Sequence, residues 1–350
     1  MTVSDLKTAD LTCVRRGALG HIELHRPQAL NAISHQMVGA INGALDEWEG
    51  DTTLKVIAIS AVPGRAFSAG GDIRQLYDLG RAGQHDTQMA FWRDEYALNL
   101  RISRLKTPFV ALIDGLVMGG GVGVALHGSH VVAGDAFQFA MPEVGIGFFP
   151  DIGASYFLPK LPGEAGMRLA LTGARVKADE AFELGLVTHR RNSAALPELL
   201  EALAAGADLA LELPDAQVAE RSGLSPALDE AFGGASLEEI FAQLEALAPG
   251  EPTAAADLAA LRRHSPTSLA VAFRQMRVGR GLDLAQALAM ELCIVSHLCR
   301  DQDFYEGTRA LTIDKDKSPH WSPATIKDVD QAKIASWFAA PYQPASPQDT

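Results

Sequence analysis

The chain has 350 residues, of which 47% are hydrophobic and 21% are charged, and its formal net charge is −13 at neutral pH. This length allows one large domain, or a core with a smaller appendage, around a sizeable apolar interior. The negative charge argues against broad binding to phosphate backbones, because the long-range field repels nucleic acid and anionic membranes. A small anionic ligand remains compatible with a few local cations.

The cysteines and the N-terminal residues predict a reducing compartment. Cys13, Cys293 and Cys299 follow neither a CxxC nor a zinc spacing, so we expect them to be structural and the location to be cytoplasmic. The N-terminal stretch MTVSDLKTAD lacks the apolar core of a signal peptide and the arginines of a transit sequence. The absence of a run of about 18 apolar residues predicts no membrane span.

The N-terminal part of the chain predicts alternating strands and helices. Residues 11–25 predict two short strands, and the apolar spacing that follows predicts a helix capped by Asn31 or Ser34. Residues 54–62 form an apolar run typical of a buried strand. This run leads into a glycine-rich loop, PGRAFSAGGDI, and then towards another helix. Such a junction can bind an oxyanion or a phosphate, although a tight turn is the simpler interpretation.

A helix predicted over residues 87–106 carries a carboxylate on its apolar side. At about 100° per residue, Glu95 shares a narrow stripe with Phe91 and Leu98. Burial of Glu95 would cost considerable free energy unless a partner or a ligand meets it. A ligand-binding role and a structural salt bridge are both compatible with this pattern.

The central stretch, residues 114–151, combines a run of three glycines with two carboxylates. It follows a second predicted buried strand at 109–113, and the glycines are expected to open a helix that runs towards the next strands. Residues 131–140 predict a strand pair that ends at Met-Pro-Glu, because proline cannot donate a ladder hydrogen bond. Glu143 and Asp151 are separated by a Pro- and Gly-rich loop, so both can face one pocket as carboxylates that attack a carbonyl or activate water.

Several common site motifs are absent from the sequence. GGGVGVALHG departs from the GxGxxG spacing, no GK[ST] follows it, and no GxSxG occurs, which argues against dinucleotide, Walker and serine-hydrolase sites. His127 and His130 lack a third metal ligand at a matching spacing, so we expect structural histidines and no metal. The two strand–glycine–helix junctions remain, and one amide from each could hold a carbonyl oxygen as it becomes an oxyanion.

The C-terminal half predicts mainly helices. Residues 171–190 predict a helix that ends near Gly185 and a last strand. Residues 192–250 are rich in Ala, Leu and Glu and are broken by prolines, which predicts helices in an appended segment. Further helices are expected from residue 251 onwards, and the tail after Pro341 is expected to be flexible. We find no internal sequence repeat.

Five motifs together resemble the crotonase (enoyl-CoA hydratase/isomerase) superfamily: HRPQALNA, FSAGGDI, DGLVMGGGVG, FAMPEVGIGFFPDIG and LTG. The resemblance implies an α/β fold, a crotonase-like spiral of ββα repeats with a helical C-terminal region, that binds acyl-CoA thioesters. It also implies a core with the CoA thioester site over residues 1–190, a helical insertion or linker over 191–250, a helical C-terminal region over 251–340 and a flexible tail over 341–350.

The same resemblance implies roles for individual residues. The backbone amides of Gly71 and Gly120 would form the oxyanion hole, and Glu143 and Asp151 would be the catalytic carboxylates. Gly120 and Glu95 would contact the acyl group. The implied CoA contacts are Arg26, Ala69 and Asp72.

The chain departs from the hydratase members of the superfamily at one position. Those members carry a glutamate three residues beyond the middle glycine of the GGG motif, where this chain has Gly123. The motifs FWRDEY, HSPTSL and DFYEGTRALTIDKDKSPHW instead resemble the members that hydrolyse CoA thioesters of branched 3-hydroxyacids in valine breakdown. The resemblance therefore implies an acyl-CoA thioesterase in which Glu95 meets the substrate's 3-hydroxyl group.

Two other functions stay open as alternatives, namely an enoyl-CoA hydratase or isomerase and a catalytically silent acyl-CoA-binding protein. No cofactor is implied, because CoA is part of the substrate. The implied partners are an acyl-CoA substrate and further copies of this chain in a homo-oligomer, a trimer or a hexamer. Neither nucleic acid nor a membrane is expected as a partner.

Overall fold

Two β-sheets form the centre of the computed structural model, which describes residues 6–214 and 223–341. The strands are β1 (Leu6–Lys7), β2 (Leu11–Arg16), β3 (Leu19–Leu24), β4 (Val56–Ala61), β5 (Ala66–Ser68), β6 (Phe109–Ile113), β7 (Leu116–Met118), β8 (His130–Ala133), β9 (Gln138–Ala140), β10 (Val176–Lys177) and β11 (His189–Arg190). The large sheet has the order β1-β2-β3-β4-β6-β8-β11, and the small sheet has the order β10-β9-β7-β5.

Successive strand pairs divide between the two sheets. β4, β6 and β8 pair in parallel in the large sheet. The strand that follows each of them, β5, β7 or β9, joins the small sheet, where these three also pair in parallel. Helical segments lead the chain from the small sheet back to the large sheet, so each ββα unit adds one strand to each sheet. The predicted crotonase-like spiral is confirmed.

The helices surround these sheets and form most of the C-terminal half. They are α1 (His35–Trp48), α2 (Ile73–Arg81), α3 (His85–Arg104), α4 (Gly120–Leu126), α5 (Ala154–Phe157), α6 (Ala165–Thr172), α7 (Ala178–Leu184), α8 (Leu196–Ala204), α9 (Leu209–Glu212), α10 (Pro226–Phe232), α11 (Leu237–Leu247), α12 (Pro252–Leu261), α13 (Pro266–Gly279), α14 (Leu284–Leu298), α15 (Gln302–Thr308) and α16 (Gln331–Trp337). A π-helical turn, Arg309–Ile313, follows α15. Short 3-10 turns occupy Pro27–Ala29, Glu143–Ile146, Leu158–Lys160, Ser193–Ala195 and Ile326–Asp328.

The N-terminal cap of α1 is Ser34, one of the two predicted candidates. Its side chain accepts a hydrogen bond from the amide of Met37 at 3.3 Å. Asn31 serves the preceding turn instead: its side chain accepts from the amide of Arg26 at 2.7 Å and donates to the carbonyl of Ala66 at 3.0 Å. Asn31 thereby ties the turn after β3 to the start of β5.

Two predicted element boundaries are wrong. The glycine-rich loop before α2 contains the strand β5. The helix expected from residue 171 is divided, because Gly173 adopts a φ of 62° and ends α6. The two residues of β10 and the helix α7 follow, and α7 ends before Gly185 as predicted.

The C-terminal helices pack directly on the part of the fold that carries the site. α14 lies against α3 and α5, and α13 lies against α5 and α6. Leucines of α8, including Leu199 and Leu203, cover the face of the large sheet formed by side chains such as Val110 and Val132. The division of the chain at residues 190, 250 and 340 remains a proposal. The predicted tail, 341–350, lies outside the described residues beyond Pro341.

None of the helices in the described part of the chain combines the length and the apolarity needed to cross a membrane.

Candidate active site

The two glycine-rich junctions predicted from the sequence lie against each other. Gly70 and Gly71 follow β5, and Gly119 precedes α4, which begins at Gly120. A Cβ atom on Gly120 would lie 3.1 Å from the amide nitrogen of Gly71 and would also approach Oε1 of Glu95 closely. Gly70 and Gly119 have φ angles of 110° and 42°, which other residues rarely adopt. This close approach of two backbones therefore requires glycine.

The amides of Gly71 and Gly120 are free to bind a ligand. Ile33 donates to the carbonyl of Gly70 at 2.8 Å and accepts from the amide of Asp72 at 2.9 Å. This parallel pairing turns the N–H group of Gly71 to the opposite side. Gly120 is the first residue of α4, where an N–H group has no partner within the helix. Over residues 6–214 and 223–341, neither amide donates a hydrogen bond to the protein.

A cavity of about 70 Å³ adjoins these two amides and three carboxylates. Its lining residues, which include no cation, are Ala69, Gly70, Gly71, Ile73, Phe91, Trp92, Glu95, Met118, Gly119, Gly120, Pro142, Glu143, Ile146, Phe148 and Asp151. A larger groove of about 900 Å³ between the start of α3 and α14 contains none of the predicted site residues. We place the site at the smaller cavity, because amides without a bonding partner among residues 6–214 and 223–341 meet buried carboxylates there.

The three carboxyl groups are buried, and few hydrogen bonds from the described residues offset their loss of hydration. Glu95 is 2% exposed, Glu143 7% and Asp151 5%. Oε1 of Glu95 and Oε2 of Glu143 have no hydrogen-bond partner among the described residues. Because an unpaired polar atom in the interior is costly, such atoms mark a place where a ligand supplies the partner.

Burial raises the pKa of all three carboxyl groups. Burial first, and the nearby Asp151 second, raise the pKa values of Glu95 and Glu143 well above the ordinary value. Burial also raises the pKa of Asp151, to about 7, although the hydroxyl of Tyr96 donates to its Oδ2 at 2.8 Å and lowers it. The negative charge of the cavity is therefore expected mainly on Asp151, where a donor meets it.

The turn that carries Asp151 has an unusual backbone. Ile152 adopts a φ of 55°, a conformation that a β-branched residue resists. Nε2 of His127 donates to the carbonyl of Ile152 at 2.7 Å. Burial lowers the pKa of His127. His127 thus has a structural partner, and the described residues contain no group of three His, Cys, Asp or Glu side chains that could hold a metal.

Asn99 occupies the space beside Gly123. A Cβ atom on Gly123 would lie 2.8 Å from the amide group of Asn99. With its amide oriented to donate, Asn99 bonds the carbonyl of Gly123 at 3.1 Å and that of Glu95 at 3.2 Å. A glutamate at position 123 would therefore have to displace the side chain of Asn99. This chain has glycine there, at the position where hydratases carry a glutamate.

The three predicted CoA contacts do not all face the cavity. Ala69 lines it. Arg26 and Asp72 instead line a neighbouring groove of about 470 Å³ together with Arg74. Arg26 pairs there with Asp72 at 2.8 Å and with Asp10 at 3.5 Å. The role of these residues in CoA binding stays a prediction.

Several residues that support the carboxylates are not predicted from the sequence. Tyr96 is one of them, and its position next to Glu95 on α3 is a usable signal. Trp92 and Phe148 stack at 5.7 Å between ring centroids and form an apolar wall. Glu291 bonds the amide of Gly153 from 138 positions away, which no local pattern could indicate.

The chain is similar to known proteins over most of its length. A family model described as enoyl-CoA hydratase/isomerase matches residues 19–338. The chain is 39% identical to the mitochondrial 3-hydroxyisobutyryl-CoA hydrolase of Gallus gallus, covering 94% of this chain and 89% of that protein. It is 40% identical to the Mus musculus protein of the same name, covering 95% and 89%. A crystal structure described as an enoyl-CoA hydratase from Rhodobacter sphaeroides 2.4.1 has 40% identity and a TM-score of 0.87, covering 95% of this chain and 98% of that one.

The names of these relatives bear on two predictions. The chicken and mouse proteins are named as mitochondrial, which contradicts the predicted cytoplasmic location, and that prediction is wrong. It rested on cysteine usage, which reports redox conditions and does not identify a compartment. The predicted resemblance to hydrolases of branched 3-hydroxyacyl-CoA thioesters is confirmed. The chain belongs to the enoyl-CoA hydratase/isomerase family, the crotonase superfamily that its glycine-rich and Met-Pro-Glu motifs predict.

Proposed function

We propose that the chain hydrolyses 3-hydroxyisobutyryl-CoA to 3-hydroxyisobutyrate and CoA, a step in valine breakdown. One observation carries the proposal: two glycine amides that donate to no described residue and the Glu143–Asp151 pair adjoin one cavity. The relatives named 3-hydroxyisobutyryl-CoA hydrolase support the choice of substrate. The reaction needs an oxyanion site and a carboxylate that delivers water, and the two amides and Glu143 are the groups proposed for these roles.

In the proposed mechanism, the amides of Gly71 and Gly120 polarise the thioester carbonyl. Such donors stabilise the charge that develops on the oxygen in the transition state. Glu143 either attacks the carbonyl carbon to form a mixed anhydride, which water then hydrolyses, or takes a proton from the attacking water. In both courses the C–S bond breaks, and the CoA sulfur leaves as a thiolate that takes up a proton.

We propose that Asp151 accepts the proton of Glu143 and returns it during the reaction. Because burial and Asp151 raise the pKa of Glu143, its ionised form requires a nearby group that accepts the proton. Asp151 has a pKa of about 7, and its charge raises the pKa of Glu143, so it suits this exchange. Asp151 can also orient the attacking water, with Tyr96 fixing its carboxylate at 2.8 Å.

A second candidate function is the hydration of an enoyl-CoA, which the description of the Rhodobacter sphaeroides structure favours. Gly123 and Asn99 argue against it, because the space for a second catalytic glutamate is filled by an amide. An assay with crotonyl-CoA, followed at the absorbance of the double bond, separates the two functions. A catalytically silent binding protein would release no CoA from any substrate.

The test of the proposed function is a thiol-release assay over a panel of acyl-CoAs with and without a 3-hydroxyl group. We expect CoA to be released from 3-hydroxyisobutyryl-CoA with the highest kcat/KM of the panel, and crotonyl-CoA to be left unchanged. Loss of the crotonyl double bond without thiol release would favour the hydratase.

Replacing Glu95 with Ala should selectively impair substrates that carry a 3-hydroxyl group. Oε1 of Glu95 has no hydrogen-bond partner in the described part of the chain and lies beside Gly120, so it can accept the hydroxyl hydrogen. Leaving the buried hydroxyl group without its acceptor costs about 1–3 kcal/mol, which is about 5- to 150-fold in kcat/KM. The measurement compares 3-hydroxyisobutyryl-CoA with isobutyryl-CoA in the wild type, in Glu95→Ala and in Glu95→Gln, which can still accept. An equal loss on both substrates would remove Glu95 from this role.

The rate of hydrolysis should fall as the pH decreases through the pKa of Asp151. Because burial raises this pKa to about 7, the ionised fraction grows as the pH rises through that value, and the acidic limb of kcat/KM should lie there. Tyr96→Phe removes a hydrogen bond that lowers this pKa, so the limb should move to higher pH. Tyr156→Phe is the control, because the Tyr156 ring contacts Lys160 outside the cavity. A limb that stays in place or moves to lower pH in Tyr96→Phe would contradict the assignment.

We further propose that the CoA moiety extends from Ala69 towards the groove that Arg26 and Asp72 line. Arg74 lines the same groove, so it offers a cation besides the ion-paired Arg26. Assembly as a trimer or hexamer is also proposed, and light scattering of the purified chain tests it.

A further inference from the structure

Glu291 is a buried carboxylate that the proposed mechanism does not use. It lies on α14 and is 0% exposed. Its Oε2 accepts a hydrogen bond from the amide of Gly153 at 2.7 Å. Its Oε1 accepts two more, from the amide of Ser155 at 2.9 Å and from the hydroxyl of Ser155 at 2.6 Å. Three donors from one short segment therefore converge on a single carboxylate.

This segment directly follows Asp151. Ile152, between Asp151 and Gly153, holds the left-handed conformation with a φ of 55°. A β-branched residue keeps such a conformation only where the surroundings enforce it. The carboxylate of Glu291 supplies that restraint on the C-terminal side of the turn.

Two further side chains restrain the same turn. Nε2 of Gln275, on α13, donates to the carbonyl of Pro150 and to the hydroxyl of Ser155, the latter at 2.9 Å. His127 donates to the carbonyl of Ile152 at 2.7 Å. The backbone is thus fixed on both sides of Asp151, mainly by helices that come from the C-terminal part of the chain.

We infer that Glu291 is a positioning residue for Asp151: from α14 it fixes the turn so that Asp151 stays bonded to Tyr96 and faces Glu143 in the cavity. The inference rests on the proposed function, in which Asp151 takes part in hydrolysis. Misplacing a catalytic group by about 1 Å can cost about 100-fold in rate. A loosened turn should therefore lower turnover although no substrate contact is removed.

The first test uses Glu291→Gln and the milder Ser155→Ala. In Glu291→Gln the new NH₂ group cannot accept from Gly153 or Ser155, so we expect kcat to fall about 10- to 100-fold. The KM should change less than about threefold, because neither residue lines the cavity. Ser155→Ala should lower kcat by a smaller factor, and it carries the test if Glu291→Gln does not fold. Unchanged kcat in both variants would overturn the inference.

Asp257→Asn is the matched control. Asp257 is also a buried carboxylate, but it pairs with Arg168 at 2.7 Å on helices that do not carry the cavity. Its replacement should lower the Tm while kcat stays within about twofold. A comparable fall of kcat in Asp257→Asn would mean that any buried carboxylate has this effect, which would overturn the specific role of Glu291.

A double-mutant cycle with Asp151→Asn separates positioning from general loss of structure. If Glu291 acts through Asp151, Glu291→Gln should lower kcat by less than about twofold in the Asp151→Asn background. The same loss in both backgrounds would overturn the inference.

Hydrogen exchange gives a readout that does not depend on activity. In Glu291→Gln one carboxylate oxygen becomes an NH₂ group, so either the amide of Gly153 or that of Ser155 loses its acceptor and should exchange faster than in the wild type. Unchanged protection would overturn the inference. Absence of thioester hydrolysis by the wild type, with the exchange difference intact, would overturn the proposed function alone.

Discussion

Replacing Glu143 with Gln should lower kcat by about 10²–10⁴, in line with the loss of a general base or a nucleophile. Glutamine keeps the shape of the side chain, but it can neither attack the thioester carbonyl nor take a proton from water. The affinity for CoA should change little, because the replaced group meets only the acyl end of the substrate. The measurement is steady-state thiol release together with calorimetric titration of CoA.

Stability provides an internal check on this prediction. Oε2 of Glu143 is buried and has no partner among the described residues, so removing the carboxylate should leave the Tm unchanged or raise it. Glu201→Gln is the matched control, since Glu201 is 70% exposed and pairs with Arg16 on the surface. We expect its turnover to stay within about twofold of the wild type. Near wild-type turnover in Glu143→Gln would refute the catalytic assignment.

The strands of the large sheet are easier to predict from the sequence than those of the small sheet. The apolar run of β6, Phe109–Ile113, has a clear beginning and end, because both of its faces are buried. The strand β5, Ala66–Ser68, is too short to display any periodicity and lies in a glycine-rich loop. Only its pairing with β7 makes it a strand, and that pairing joins segments that are far apart in sequence.

The features of the site that the sequence predicts are those that depend on a single helix or strand. Helical periodicity alone indicated that Glu95 is buried, and its 2% exposure confirms this. The convergence of Gly71 and Gly120 required the family resemblance, because it depends on how two ββα units stack. The anchoring of the Asp151 turn by Glu291 depends on the docking of α14, which leaves no trace in local spacing.

Replacing Gly120 with Ala should lower kcat/KM for thioester hydrolysis by about 10²–10³, the loss typical of a damaged oxyanion hole. The added Cβ atom would approach Oε1 of Glu95 closely and would lie 3.1 Å from the amide nitrogen of Gly71. It would therefore stand where the carbonyl oxygen of the substrate is expected to bind. Gly39→Ala is the control: nothing lies within 4 Å of that position on α1, and the variant should gain up to about 1 kcal/mol of stability with unchanged activity.

The double variant Gly120→Ala/Glu95→Ala identifies the cause of this loss. If the methyl group acts only by displacing Glu95, removing that side chain should restore kcat/KM to the level of Glu95→Ala alone. If the methyl group blocks the site between the two amides, the double variant should remain about 10²-fold or more below that level. We expect the second result, since the amide of Gly71 would still face the added atom whether or not Glu95 is present. Recovery to the level of Glu95→Ala would remove the two-amide oxyanion hole from the mechanism.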